Sequence, residues 1–185
     1  MLCIISGDEF FTNISYKEFA MIKALVFSDS HGQQAYMKQI IKDESPFNVL
    51  IHAGDMEDSI ENVLGPVDYY THVVKGNCDY GRDVPLEKIF LLGGRKVLLL
   101  HGHSIGNMHC HPGMDMNRMV FYAQSKGCDM LIYGHTHIPD YEVLDDGFII
   151  LNPGSISQPR QADRNRTYAV LEVEDKEVKV THKHY

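Results

Sequence analysis

Seven side chains in this sequence carry the chemistry of metal ligands, and each stands near the end of an apolar run with a glycine close by. Asp29 and His31 close "ALVFSDSHG", Asp55 closes "LIHAGD" and Asn77 lies in "VVKGNCD". His101 follows "KVLLL", and His135 and His137 complete "LIYGHTH". Carboxylate, imidazole and amide oxygen together suit Mn, Fe, Zn or Ni better than a soft thiolate site would. Neighbouring glycines let the backbone turn tightly and approach a ligand. Brought to one rim, such groups could hold metal.

The elements that must position these groups follow from the hydrophobic pattern. "IKALVFS" (22–28), "FNVLIHA" (47–53) and "YYTHVVK" (69–75) read as strands, with a helix at Gln34 to Lys42 between the first two. This β-α-β alternation implies a largely parallel sheet whose ligands gather at the carboxyl ends of strands. "EKIFLLGGRKVLLLHG" reads as two strands about Gly93 and Gly94, followed by a helix near Met116 to Ser125 and the strand of "DMLIYGHTH". Hairpins are expected in "YEVLDDGFIILNPGS", turning at Asp146-Gly147, and in "RTYAVLEVEDKEVKVTHKH", turning at Glu174 to Lys176. The second half therefore reads as more antiparallel, and the expected class is α/β, with two sheets face to face and helices outside.

The ordered blocks "DSH", "GD", "GNCD", "HGH" and "GHTH", followed by "NPGS" at Asn152 to Ser155, resemble the calcineurin-like metallophosphoesterase family, in particular its small bacterial and archaeal phosphodiesterases. The match runs from Met21 to about Tyr168. The resemblance implies a four-layer α-β-β-α sandwich of two mixed sheets and two divalent metal ions per chain. Manganese is the expected ion, with nickel, iron, zinc or magnesium as alternatives. It further implies that Asp29, His31, Asp55 and His137 hold one ion. Asp55, Asn77, His101 and His135 hold the other, with Asp55 bridging. Two such ions about 3.5 to 4 Å apart can share a hydroxide, lower its pKa and clamp a phosphoryl group for in-line attack.

The candidate catalytic positions are Asn77, Cys78, Asp79 and His103. In much of the family the residue after the metal-binding Asn is a histidine that assists the leaving group; here it is Cys78. A thiol is a poorer acid than imidazolium near neutral pH, so diesters with acidic leaving groups are expected to be easier substrates than alkyl monoesters. Cys78 could equally serve packing, and Asp79 could orient a histidine elsewhere. His103 could face substrate, support a ligand or cap a loop. His52 and His72 sit at strand positions and read as packed core histidines. "SIGNMHCHPGMDM", with His109, Cys110 and His111, reads as a solvated loop, a lid or a third metal site. Arg160, Arg164 and Arg166 could steer phosphate.

The 185 residues are 44% hydrophobic, enough for one domain with a sizeable core, expected over 21–185 with 1–20 as a dispensable extension. A net charge of −8 argues against nucleic acid, other than as a phosphodiester substrate, and against an anionic membrane surface. A small phosphoester is the expected partner, and a homo-oligomer is compatible with the sequence. No apolar stretch reaches membrane-spanning length. "MLCIISGDEFF" lacks a basic leader, and the four cysteines show no paired spacing, so a cytoplasmic location is expected. A non-catalytic protein-binding scaffold on the same fold, as in the vacuolar-sorting retromer subunit, is the alternative function, with a purely structural metal protein as a third.

Overall fold

The computed structural model describes residues 21–106 and 108–185. The expectation for residues 1–20 lies outside them. β1 (Ile22–Phe27) leads through α1 (Gln34–Glu44) to β2 (Val49–His52), then through α2 (Ile60–Leu64) to β3 (Tyr70–Val73). These three strands are parallel, as helical crossovers require. β11 (Thr167–Glu174) pairs antiparallel with β1, and β12 (Glu177–His184) with β11, giving the order β12-β11-β1-β2-β3.

A second five-stranded sheet has the order β4-β5-β8-β10-β9, from β4 (Glu87–Leu92), β5 (Arg95–Leu100), β8 (Met130–Ile132), β9 (Pro139–Val143) and β10 (Ile149–Pro153). Its outer pairs β4-β5 and β9-β10 are antiparallel, as hairpins dictate. Its centre is parallel, because α3 (Pro112–Ser125) carries the chain across from β5 to β8. With its hairpins and the β11-β12 pair antiparallel, the second half is more antiparallel than the first, as expected, and both sheets are mixed.

Three apolar layers hold these elements together. Alternate residues of β1 point to opposite faces. Ala24 and Val26 pack between the sheets with Ile51, Leu99, Ile132 and Leu151. Leu25 and Phe27 face Met37 and Ile40 of α1 and Ile60 of α2. On the far side, Leu98, Leu131 and Ile150 meet Met119, Val120 and Ala123 of α3. Three buried layers need four layers of backbone, so the architecture is the α-β-β-α sandwich. Phe27 is fully buried, and truncation to Ala at such a site costs about 3–5 kcal/mol.

Two local features depart from the sequence reading. α3 begins at Pro112, one turn before Met116, because proline's fixed φ suits the first helical position. The helix bends at Asp115, whose carboxylate accepts the His111 backbone N–H. The segment read as a loop carries a short hairpin, β6 (Ser104–Ile105) with β7 (Met108–His109), and Cys110 after it is buried beneath α3. No helix among the described residues is long and apolar enough to cross a membrane.

Candidate metal centre

The strand ends of both sheets meet on one rim. Asp29 and His31 follow β1, Asp55 follows β2, His101 follows β5 directly, and His135 and His137 follow β8. Asp29, His31, Asp55, His135 and His137 all have left-handed backbones, with φ of 53°, 42°, 55°, 69° and 60°. Such a conformation is strained for a residue with a Cβ and persists only where its surroundings impose it. Here they do. The Asp29 N–H donates to Gly54 O and the His31 N–H to Asp55 O, both at 3.0 Å. Ser155 and Ser157 each donate a hydroxyl to Asp29 O at 2.8 Å. Asn152 Nδ2 donates to Gly134 O at 2.9 Å, which ties the "NPGS" turn to the "GHTH" loop. A Cβ on Gly76 would collide with the Asp55 carboxylate, and one on Gly134 with the Ser28 hydroxyl, so these two glycines permit the close approach.

The side chains converge tightly. Asp29 Oδ1 lies 3.1 Å from His137 Nε2 and 3.9 Å from both His31 Nε2 and His101 Nε2. Asp55 Oδ2 lies 3.3 Å from His101 Nε2 and 3.9 Å from His31 Nε2, between the two. Ligand atoms of Asp29, His31 and His137 fall within 4.8 Å of one another, as do those of Asp29, Asp55 and His101, and those of His31, Asp55 and Cys78.

The outer nitrogens decide which atoms face inward. His137 Nδ1 lies 2.7 Å from Gln158 O and His101 Nδ1 2.7 Å from Ala53 O. His31 Nδ1 lies 2.7 Å from Glu57 Oε1. Carbonyl and carboxylate oxygens only accept, so each ring donates from Nδ1, and a neutral ring then presents a bare Nε2 lone pair. Asp29 Oδ1 and His101 Nε2 are buried with no hydrogen-bond partner. Buried acceptors turned on one another are costly unless a cation joins them. The donor set and its unsatisfied atoms thus fit a divalent metal. Burial pushes the Asp29 and Asp55 carboxyls up, but the facing imidazoles of His137 and His101 outweigh it, and both lie below the usual range. Burial likewise pushes His101 down, while Asp55 and Asp29 outweigh it and raise its proton affinity.

The remaining predicted residues flank this group. The His135 ring meets His101 edge-on at 5.1 Å, and burial pushes its pKa down to about 4. Asn77 is exposed at the rim, its Nδ2 3.3 Å from Cys78 Sγ. The Cys78 backbone N–H donates to Asp55 Oδ1 at 2.7 Å. Burial, reinforced by Asp55, Glu57 and Asp79, pushes its thiol up to about 12. Asp79 is buried beneath the site: Oδ2 accepts the N–H groups of Asp55 and Gly76 at 2.8 Å, and Oδ1 that of Glu57 at 2.7 Å. It orders the ligand loops through their backbones. His103 is half-buried, 5.4 Å from the His101 ring, and burial lowers its pKa.

His52 is fully buried, with Nε2 3.1 Å from Ser30 Oγ, and His72 stacks on Phe90 at 3.7 Å. His109 and His111 are exposed and, among the described residues, join none of the metal-competent groups. Arg166 lies over the Tyr36 ring and Arg164 donates to Pro159 O, so both serve local structure. Arg160 is exposed, and its backbone N–H reaches His137 O. Sequence reasoning passed over Glu57, Ser157 and Gln158. The contacts of Ser157 and Gln158 span more than 20 residues of chain and have no motif; Glu57, two residues past "GD", offered a carboxylate that could have been considered.

The sequence matches the Calcineurin-like phosphoesterase superfamily domain over residues 22–176. It is 36% identical over 155 residues to the Probable metallophosphoesterase YsnB of Bacillus subtilis, covering 83% of this chain and 86% of that one. It is 27% identical over 165 residues to Phosphodiesterase YfcE of Escherichia coli, covering 76% and 82%. A conserved Streptococcus pneumoniae protein described as a predicted phosphoesterase superposes with a TM-score of 0.76 at 28% identity, covering 90% and 91% of the two chains.

Proposed function

The chain belongs to the calcineurin-like phosphoesterase superfamily, and from that membership we propose that it is a metal-dependent phosphodiesterase with a dinuclear centre. The observation that carries the proposal is the burial of Asp29 Oδ1 and His101 Nε2 without partners, in a rim whose three anchored imidazoles all turn Nε2 inward. Asp29, His31 and His137 would hold one ion, and His101, with His135 and Asn77, the other. Asp55, between His31 and His101, would bridge. When bound, a pair of divalent ions supplies Lewis acidity towards the phosphoryl oxygens and lowers the pKa of a shared water for in-line attack.

The chain's own residues set the substrate class. Its net charge of −8 repels anions at a distance, so attraction for phosphate has to be local to the centre. Asn77 at the exposed rim offers a polar contact to a bound phosphoryl group. Cys78 keeps its proton at neutral pH and gives it up too reluctantly to assist an alkoxide, which favours phosphodiesters with acidic leaving groups. His103, half-buried with its ring 5.4 Å from that of His101, is the other candidate for passing a proton. A protein-binding scaffold would need none of these inward-facing acceptors.

The test is hydrolysis of bis(p-nitrophenyl) phosphate by protein stripped of metal and then loaded with Mn(II), Ni(II), Zn(II) or Mg(II). Turnover that depends on added metal, with diester preferred over p-nitrophenyl phosphate, is the expected result. Metal uptake without hydrolysis of any diester would return the chain to the structural or scaffold readings.

A further inference from the structure

Glu57 lies two residues past Asp55 and touches the outer end of a candidate ligand ring: its Oε1 is 2.7 Å from His31 Nδ1. A carboxylate can only accept here, so the contact sets the tautomer and rotation of the imidazole. It leaves His31 Nε2 facing Asp29, Asp55 and His137 at 3.9, 3.9 and 3.4 Å. His101 and His137 rest their outer nitrogens on backbone carbonyls. His31 alone of the three rests on a side chain, the one kind of support that a substitution can remove.

The chain goes to some length to put that carboxylate there. Glu57 has a left-handed backbone, φ 59°, unfavourable for a residue with a Cβ. Its N–H donates to Asp79 Oδ1 at 2.7 Å, and its carbonyl accepts from Arg82. The other oxygen of Asp79 accepts the Asp55 N–H, so one buried carboxylate ties Glu57 to the proposed bridging ligand. A surface glutamate with no task would need none of these supports, and its side chain, 40% exposed, would be free to turn into water.

We infer that Glu57 is a positioning residue of the centre, holding His31 as the Nδ1–H tautomer with Nε2 directed inward, and that Asp79 and Arg82 fix the backbone from which it does so. The inference rests on the reading of His31 as a metal ligand. Partners on the outer nitrogen of a ligating histidine typically change metal affinity by about 10- to 100-fold.

The experiment uses the full chain and Mn(II) alone, followed by titration calorimetry and elemental analysis, with no substrate. Glu57→Gly removes the carboxylate while easing the left-handed backbone, so folding is protected. Glu57→Gln keeps an acceptor oxygen. Glu57→Gly is expected to weaken one Mn(II) binding step by about 10- to 100-fold and to leave the other within a few-fold, with Glu57→Gln between it and the parent. In metal-free protein, the 15N shifts of His31 should report Nδ1–H in the parent and a move towards Nε2–H in Glu57→Gly, which a merely structural role would not produce. Parent-like Mn(II) binding in Glu57→Gly, or an unmoved tautomer, overturns the role of Glu57 alone. A parent chain that takes up no Mn(II) overturns the metal-centre reading and this role with it.

Discussion

The Nε2 atoms of His31 and His137 stand 3.4 Å apart while each Nδ1 is committed to an oxygen, Glu57 Oε1 for one ring and Gln158 O for the other. Two neutral rings so anchored face each other lone pair to lone pair. A cation held between them would convert the repulsion into shared attraction, and Asp29 Oδ1, 3.1 Å from His137 Nε2, would gain from the same ion. The folded rim is therefore one that a bound metal would stabilise.

Stability should follow metal occupancy. A ligand that binds only the folded state stabilises it by about 2.7 kcal/mol at 100 times its dissociation constant. Differential scanning fluorimetry is expected to show a melting temperature that rises with Mn(II) and falls with a chelator. An unchanged melting temperature across that titration would remove the ion from the stability of the fold.

Asp55 is the proposed ligand whose loss should matter most, because its Oδ2 stands between His31 and His101. Asp55→Asn keeps the shape and the oxygen that accepts Cys78 N–H but removes the charge. It should lower bound metal and abolish turnover, whereas His109→Ala, on the exposed hairpin, should leave both nearly unchanged. Elemental analysis beside the diesterase rate reads the outcome. Full occupancy in Asp55→Asn would contradict bridging, and an ion lost from His109→Ala would revive the third-site reading.

The groups best legible in the sequence were those whose position is fixed by a strand end. Asp29, Asp55, His101 and His137 each follow an apolar run, and the pleat and the glycine turns deliver them to one rim. The strands themselves declared their ends through Gly93-Gly94 and Asp146-Gly147. Glu57 and Asp79 were harder, because what they do depends on distance in the fold: Asp79 binds N–H groups on loops 3 to 24 residues away. The hairpin turns marked the antiparallel pairs of the second half, but which strands meet at the parallel centre of the second sheet is set by where α3 packs, a tertiary fact. The β6-β7 hairpin, with two residues in each strand, is too short to show a period.

Asp79 should be costly to remove. Its carboxylate accepts three backbone N–H groups, from Asp55, Glu57 and Gly76. A buried donor left unpaired costs about 1–3 kcal/mol, so Asp79→Ala should destabilise by at least about 3 kcal/mol and release metal as the ligand loops relax. Asp79→Asn, which retains one acceptor oxygen, should fall between. Urea unfolding of metal-free protein checks the first claim apart from the second. A loss under about 1 kcal/mol would mean that water replaces the carboxylate without penalty.

Part of the acid sensitivity should be traceable to Glu44, which is not one of the proposed metal ligands. Burial pushes its carboxyl up, but hydrogen bonds from Lys183, Lys23 and Tyr168 outweigh that and hold it at about 2 against an ordinary 4.5. A carboxyl depressed by folding contributes stability that is complete above the unfolded value and is lost as pH falls through the folded one. Stability should therefore decline between pH 4.5 and about 2. Glu44→Gln, less stable at neutral pH, should show a shallower decline over that window. Equal slopes for parent and variant in acid unfolding would assign the decline to other carboxyls.

Cys78 stands where the family resemblance leads one to expect a histidine, and its surroundings make the consequence testable. Its thiol, pushed up to about 12, cannot serve as an acid near neutral pH, yet its backbone N–H holds Asp55 Oδ1. Cys78→His preserves that backbone donor and adds an imidazole beside the rim. General acid assistance is typically worth ~10²- to 10⁴-fold, so even a poorly aligned ring should raise hydrolysis of alkyl monoesters relative to the p-nitrophenyl diester, whose leaving group departs without a proton. Two effects oppose the gain. The ring is larger than a thiol and can displace Asn77, whose Nδ2 now rests 3.3 Å from Cys78 Sγ. Asp79 also cannot orient the new ring cheaply, since both its oxygens already hold backbone N–H groups. Metal content and diesterase rate are the controls, and each should stay close to that of the parent. With both retained, a monoester to diester ratio that does not move would show that residue 78 does not govern leaving-group choice, and would turn attention to His103, whose ring lies 5.4 Å from that of His101.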